Sequence, residues 1–104
     1  MPLTAPQVAA LSVAETCNDY LSDQPGKVGL KWINDVFYGD KKIAGMLCLS
    51  SNQGKETYLT AGIGVNLNSS PLDTGICLKD ILKKQVDVQD FFERLTANVV
   101  RNFR

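Results

Sequence analysis

Lys31-Trp32-Ile33-Asn34-Asp35 closes one apolar run, and Gly62-Ile63-Gly64-Val65-Asn66 closes another further along the chain. In the first, Val28, Leu30 and Trp32 alternate with Gly29 and Lys31. That period of two predicts a strand, with Lys31 on the side away from its apolar face. Asn34-Asp35 then interrupts the run. The second stretch is rich in β-formers until it thins to two glycines and presents an asparagine. A cation and a closely approachable backbone on nearby strands suggest a site for something anionic and flat.

Reading outward from Asp35, Val36-Phe37-Tyr38 resumes the strand pattern and Gly39-Asp40 is a turn. Ile43 to Leu49 is a strong strand with Gly45 inside it, and an interior glycine marks a bulge or a close approach. Ser50 to Lys55 reads as a hairpin loop, and Thr57 to Leu67 as the next long strand. Short connections between consecutive strands predict an antiparallel meander of three to four strands. Residues 4–22 predict a helix: Thr4 and Gln7 have capping-box spacing, Pro6 sits in the first turn, and Leu3 with Val8 forms a staple pair. Ala10, Val13, Ala14, Cys17 and Leu21 supply its buried stripe. After a loop from Asn68 to Gly75, Leu78 to Leu82 predicts a short helix. Asp87 caps a last helix with Val88, Phe91, Leu95, Val99 and Phe103 on one face. The fold class is therefore α+β, a meander with a helix before and after it.

At 104 residues the chain is one domain at most. Eleven basic residues balance eleven acidic ones, which argues against a nucleic-acid module driven by bulk charge. Three scattered cysteines fit neither a zinc site nor a disulfide framework, and there is no histidine. No metal site is expected. With no signal pattern and no long apolar run, the chain reads as soluble and cytoplasmic, without a membrane partner.

Taken singly, the candidate site residues are ordinary. Lys31 reads as a surface lysine on a half-exposed strand. Gly62 to Asn66 lacks the third glycine and the following helix of a dinucleotide fingerprint. Ser69-Ser70 cannot build Ser-His chemistry in a chain without histidine.

In order, however, the motifs resemble those of biotin–protein ligases. Lys31 to Asp35 resembles the family's Lys-Trp-Pro-Asn-Asp signature, with Ile33 in place of proline. Lys42-Ile43-Ala44-Gly45-Met46-Leu47 is similar to the strand that follows it, and Gly62 to Asn66 to the Gly-x-Gly-x-Asn strand. The resemblance implies a class II synthetase-like catalytic domain and a two-step reaction. Biotin and ATP with Mg2+ give biotinyl-5′-AMP, and biotin then passes to a lysine of a biotin carboxyl carrier domain. It implies that Lys31 meets the biotin carboxylate and the adenylate phosphate, that Gly45 and Gly64 let the ligand lie close, and that Asn66 contacts adenine. Trp32, Asn34 and Asp35 stand beside them in a lesser role. Nothing in the sequence matches the family's arginine- and glycine-rich loop or its small C-terminal cap domain. Residues 1–104 thus resemble the second half of the catalytic domain, expected to be inactive without the other half. Family members are often dimeric, so a homo-oligomer is a further expectation. Two other classes remain: a non-catalytic remnant that binds adenylate or pairs with a partner, and an unrelated small α+β binding module.

Overall fold

The alternating segments pair as their alternation requires. A computed structural model describes residues 4–31, 35–70 and 73–104. It places β1 (Val28–Lys31), β2 (Asp35–Tyr38), β3 (Lys41–Gln53) and β4 (Glu56–Val65) in one antiparallel sheet of order β1-β2-β3-β4. Trp32, Ile33, Asn34 and the expected Leu3 staple lie outside the described residues. The hairpin between β3 and β4 is tighter than expected. Gln53 pairs with Glu56, so Gly54-Lys55 alone make the turn, and Gly54 takes a φ of 65°. A two-residue hairpin loop needs positive φ, and glycine adopts it without steric cost. The polar residues before it extend the ladder instead of looping, because polar side chains are tolerated on a strand exposed to water. At the other end β4 stops at Val65 rather than Leu67. There Asn66 N donates to Ile43 O at 2.8 Å, and the chain turns away.

α1 (Ala5–Tyr20) begins in the expected capping box: Gln7 N donates to Thr4 Oγ1 at 3.4 Å and Thr4 N to Gln7 Oε1 at 3.0 Å. Its small residues Ala9, Ala10, Val13, Ala14 and Cys17 are buried. They let the helix axis lie close across all four strands, where Val28, Val36, Ile43, Ala44 and Met46 complete the core. Burial pushes the Cys17 thiol up to about 12, as befits a small core residue rather than a reactive thiol. Asn18 ties the helix to β1 by mimicking a strand. It accepts from Val28 N at 2.8 Å and donates to Val28 O at 3.2 Å.

α2 (Leu78–Leu82) hangs on the end of β4, with Leu78 N donating to Asn66 O and Lys79 N to Leu67 O. Asn68 repeats the backbone mimicry on Val86, at 2.8 and 2.9 Å. α3 (Val88–Asn102) starts at Asp87, whose carboxylate accepts from Asp90 N. Its orientation differs from the expected one. Phe91 is buried and Leu95 packs on the core, but Val88 is 59% exposed and Phe103 39%. The helix is turned by polar contacts with α1. Thr16 Oγ1 donates to Ser12 O, Asn98 Nδ2 donates to Thr16 Oγ1 at 2.8 Å, and Asn102 Nδ2 donates to Ser12 Oγ at 3.0 Å. Ser12 and Thr16 are fully buried and donate to carbonyls of their own helix, and their oxygens in turn serve as acceptors for the two amides of α3.

At the far end of the same interface the Tyr20 hydroxyl donates to the Asp90 carboxylate, which also accepts from Arg94 Nε at 2.9 Å. The Tyr20 ring stacks on Phe91 with centroids 5.6 Å apart. Burial, then the bond to Asp90, pushes the phenol up to about 12. The same bond, with Arg94, lowers the Asp90 carboxyl.

Two outcomes are expected. Asn98→Ala removes the amide that donates to Thr16 Oγ1, which keeps its own bond to Ser12 O, and is expected to lower unfolding stability by about 0.5–1.5 kcal/mol, read as a shift in denaturant midpoint at unchanged slope. The Tyr20 bond holds its proton in the folded state only. Its contribution is complete below pH 10.0, the ordinary tyrosine value, and is lost as pH rises toward about 12. Wild type therefore loses stability across that window more steeply than Tyr20→Phe, which lysine titration affects equally. Equal slopes would remove the assignment.

Candidate active site

The register aligns one residue from each strand in a single row. Lys31 pairs with Asp35, Asp35 with Gly45, and Gly45 with Gly64. All four face away from α1, because their neighbours Val36 and Ala44 point into the core. The cation and the glycines singled out in the sequence are thus brought onto one face.

A bulge adds a residue that the alternation hides. Val36 pairs with Ala44 but Phe37 pairs with Lys42, leaving Ile43 as the extra residue. Ile43 and Ala44 both enter the core, at 0% and 3% exposure. Lys42 consequently emerges on the same face as Gly45. Its Nζ reaches Asp35 Oδ1 at 3.3 Å. Its chain lies across Gly45, where an added Cβ would stand 3.1 Å from Lys42 Cε and Nζ. Gly64, next in the row, has nothing within 4 Å on that side. One glycine thus makes room for the lysine, and the other leaves the sheet bare.

A cleft of about 390 Å³ opens over this part of the row. Ala44, Gly45, Gly64 and Val65 form its floor, Lys42 one side, and Asn66, Ser70, Thr74 and Gly75 the other. The second side is held down by backbone. Gly75 bridges to Lys42, and Ile76 N donates to Lys42 O at 3.0 Å. Glycine gives room there, since a Cβ on Gly75 would stand 2.5 Å from Ser70 Oγ and 3.2 Å from Lys42 O, and a larger residue requires Ser70 to turn away. Asn66 lines the cleft, and its Nδ2 is engaged, donating to Ile76 O at 3.2 Å. It therefore braces the wall as well as facing the site.

Lys31 does not line the cleft. It is exposed, and its Nζ stands 4.5 Å from the centroid of the Phe37 ring on the same face. Asp35 reaches the cleft only through Lys42. Beyond Gly45 and Gly64 the same face continues in the pair Leu47–Gly62, with Leu47 64% exposed. Lys42, Thr74 and Gly75 were not singled out in the sequence as site residues, and Ser70 only as a rejected nucleophile. The adjacent apolar pair Ile43-Ala44 fits a bulge but does not single it out, since Met46 to Leu49 is equally apolar and pairs without a shift. The wall carried no local signal. Among the described residues no group of three or more metal-ligating side chains converges, and no helix is long and apolar enough to cross a membrane.

The Biotin/lipoate A/B protein ligase family profile matches residues 2–66, more than half of the chain. The chain belongs to that family. It is 30% identical over 91 residues to the chloroplastic biotin–protein ligase 1 of Arabidopsis thaliana, covering 84% of this chain and 24% of that protein. It is 33% identical over 75 residues to the Homo sapiens biotin–protein ligase, covering 70% of this chain and 10% of that one. The fold matches the crystal structure of the Aquifex aeolicus biotin protein ligase with a TM-score of 0.75 and 27% identity, over 94% of this chain and 44% of that one. The same enzyme in complex with biotin and ATP matches with a TM-score of 0.74 and 28% identity, over 94% of this chain and 41% of that one. The chain therefore spans less than half the length of these relatives.

If Gly75 is needed because of Ser70, their substitutions are coupled. Gly75→Ala is expected to cost about 1–3 kcal/mol of stability. The cost is expected to shrink by roughly 0.5 kcal/mol or more when Ser70 is already alanine. A double-mutant cycle by denaturant unfolding measures it, and strict additivity would remove the contact.

Proposed function

We propose that this chain is part of a biotin–protein ligase catalytic domain, and that its cleft holds the reactive centre of biotinyl-5′-AMP. One observation carries this reading: the bulge at Ile43 sets Lys42 over the Gly45–Gly64 row, at the mouth of a cleft sized for part of a small ligand.

The reaction has two steps. A biotin carboxylate oxygen attacks the α-phosphorus of ATP, forming the acyl phosphate bond as pyrophosphate leaves. The amine of a carrier-domain lysine then attacks the acyl carbon, and AMP leaves with the bonding pair. In both steps negative charge gathers on oxygens between the carboxyl and the phosphate. A fixed ammonium there stabilises that charge more than the ground state. Lys42 is best placed for this role, with Asp35 holding it across the row until an anion competes for it. Lys31, at the far end of the row, is a second cation for the same ligand and keeps the role that the family motif implies. Gly64 lets the ligand rest on the backbone, Leu47 with Gly62 offers an apolar floor for the biotin rings, and Asn66 stands at the adenine side. Mg2+ would arrive on the phosphates of ATP, as is usual for that ion, and Asp35, beside Lys42, is a carboxylate that would be available to it.

Because the chain spans under half of its solved relatives, the remaining walls come from polypeptide outside these residues. Carrier labelling is accordingly expected only when the other half of the domain is supplied in trans. A non-catalytic remnant that binds adenylate or pairs with a partner is the alternative, and the same assay separates the two.

Calorimetric titration with a non-hydrolysable biotinyl-adenylate analogue tests the site. Lys42→Ala is expected to remove about 1.5–3 kcal/mol of binding, the range for a hydrogen bond to a charged group. That is roughly 10- to 150-fold in Kd. Lys31→Ala is expected to have a smaller effect. The reverse order would move the reactive centre to Lys31, and no binding to wild type at millimolar ligand would leave only the scaffold reading.

A further inference from the structure

The register leaves one lysine of the ligand face without the partner that stands opposite it. Lys31 pairs across the ladder with Asp35, the placement in which an ammonium and a carboxylate ordinarily meet. The Asp35 carboxylate goes instead to Lys42, at 3.3 Å. No other carboxylate pairs with Lys31 among the described residues. What holds it is a ring: Lys31 Nζ lies 4.5 Å from the centroid of Phe37.

The sheet puts Phe37 there. Its neighbour Val36 is fully buried in the core, so Phe37 faces the other way, on the side of Asp35. Across the ladder it meets Gly29 on β1 and Lys42 on β3. A Cβ on Gly29 would have nothing within 4 Å, so β1 offers no side chain to crowd the Lys31 stem as it lies over the ring. Because β2 runs between β1 and β3, the half-buried ring stands between the two cations of the face.

A carboxylate and a ring hold a lysine in different ways. A carboxylate neutralises the ammonium and must be displaced before an anion can use it, as Asp35 must be from Lys42. The face of a ring attracts the ammonium through its quadrupole but carries no net charge. The lysine stem gives up freedom in advance, while its charge and its N–H donors stay available to a ligand.

The geometry points to Phe37 as a positioning residue for the anionic ligand: it holds Lys31 on the ligand face with its charge unneutralised. The site then has one cation that is quenched until a ligand arrives and one that is not. This inference rests on the adenylate reading of the cleft, since it needs an anion on that face.

Calorimetric titration of the full chain with the non-hydrolysable biotinyl-adenylate analogue tests it, using Phe37→Leu, Phe37→Tyr, Lys31→Ala and the Phe37→Leu/Lys31→Ala double variant beside wild type. Phe37→Leu is expected to weaken binding roughly 2- to 5-fold, the range for one exposed cation–ring contact. Phe37→Tyr keeps a ring and is expected to keep wild-type affinity. In the Lys31→Ala chain, Phe37→Leu is expected to change nothing further. Without ligand, the ring-current shift of the Lys31 ε-protons is expected to vanish in Phe37→Leu and persist in Phe37→Tyr. An equal loss from Phe37→Leu in both backgrounds, an unchanged Kd in Phe37→Leu, or no ring-current shift in wild type would each overturn the inference and leave the adenylate site standing. Absence of binding to wild type at millimolar ligand would remove the adenylate reading and this inference together.

Discussion

The structure depends on one extra residue in β3. Ile43 has no partner in β2, so two successive side chains, Ile43 and Ala44, enter the core beneath the sheet. Burying both is favourable, since each removes apolar surface from water. The consequence lies on the opposite face. Alternation is reset, and Lys42 comes up beside Asp35 and over Gly45. The same shift aims the Lys42 carbonyl at Ile76 N, which draws the Gly75 wall down onto the strand. Core packing and site construction are thus one event. A β3 without the bulge would send Lys42 toward the helices and leave the cleft without its cation.

Around that event the fold is held by side chains that imitate backbone. Asn18 pairs with Val28 and Asn68 with Val86, each accepting from the N–H and donating to the carbonyl of a residue far along the chain. Such contacts satisfy backbone groups that would otherwise be buried or exposed at a strand end. The interface between α1 and α3 follows the same logic. Its buried polar groups leave little choice of rotation, because the buried Asn98 amide needs the Thr16 oxygen that accepts from it. This explains why α3 does not simply bury its largest apolar stripe.

The division of labour among the cations shows why family motifs and geometry complement each other. The Lys31 motif draws attention first because it is dense and unusual. The structure places Lys31 at the outer end of the row, against Phe37, and Lys42 at the cleft. Membership of the biotin/lipoate ligase family makes a cation in this region meaningful. The distances decide which lysine is closer to the open glycine.

Local pattern was enough to determine the helices, the strands and their antiparallel order, while the common face of Lys31, Gly45 and Gly64 came from the register of the sheet. Period-two alternation, a capping box and glycine turns act over a few residues, so their physics is legible in a short window. The hairpin turn was misplaced because backbone pairing favoured continuing the ladder through polar residues. The bracing bond from Asn66 to Ile76 O was not legible, since its partner lies in another segment. What only the tertiary structure decided was the position of Lys42, the Gly75 wall and the rotation of α3. Each follows from which residues are buried together. A bulge is chosen by the core it fills, a wall by the carbonyl it meets, and a helix face by polar partners on another helix. None of those partners is near in sequence, and that separation is the physical reason they could not be read from it.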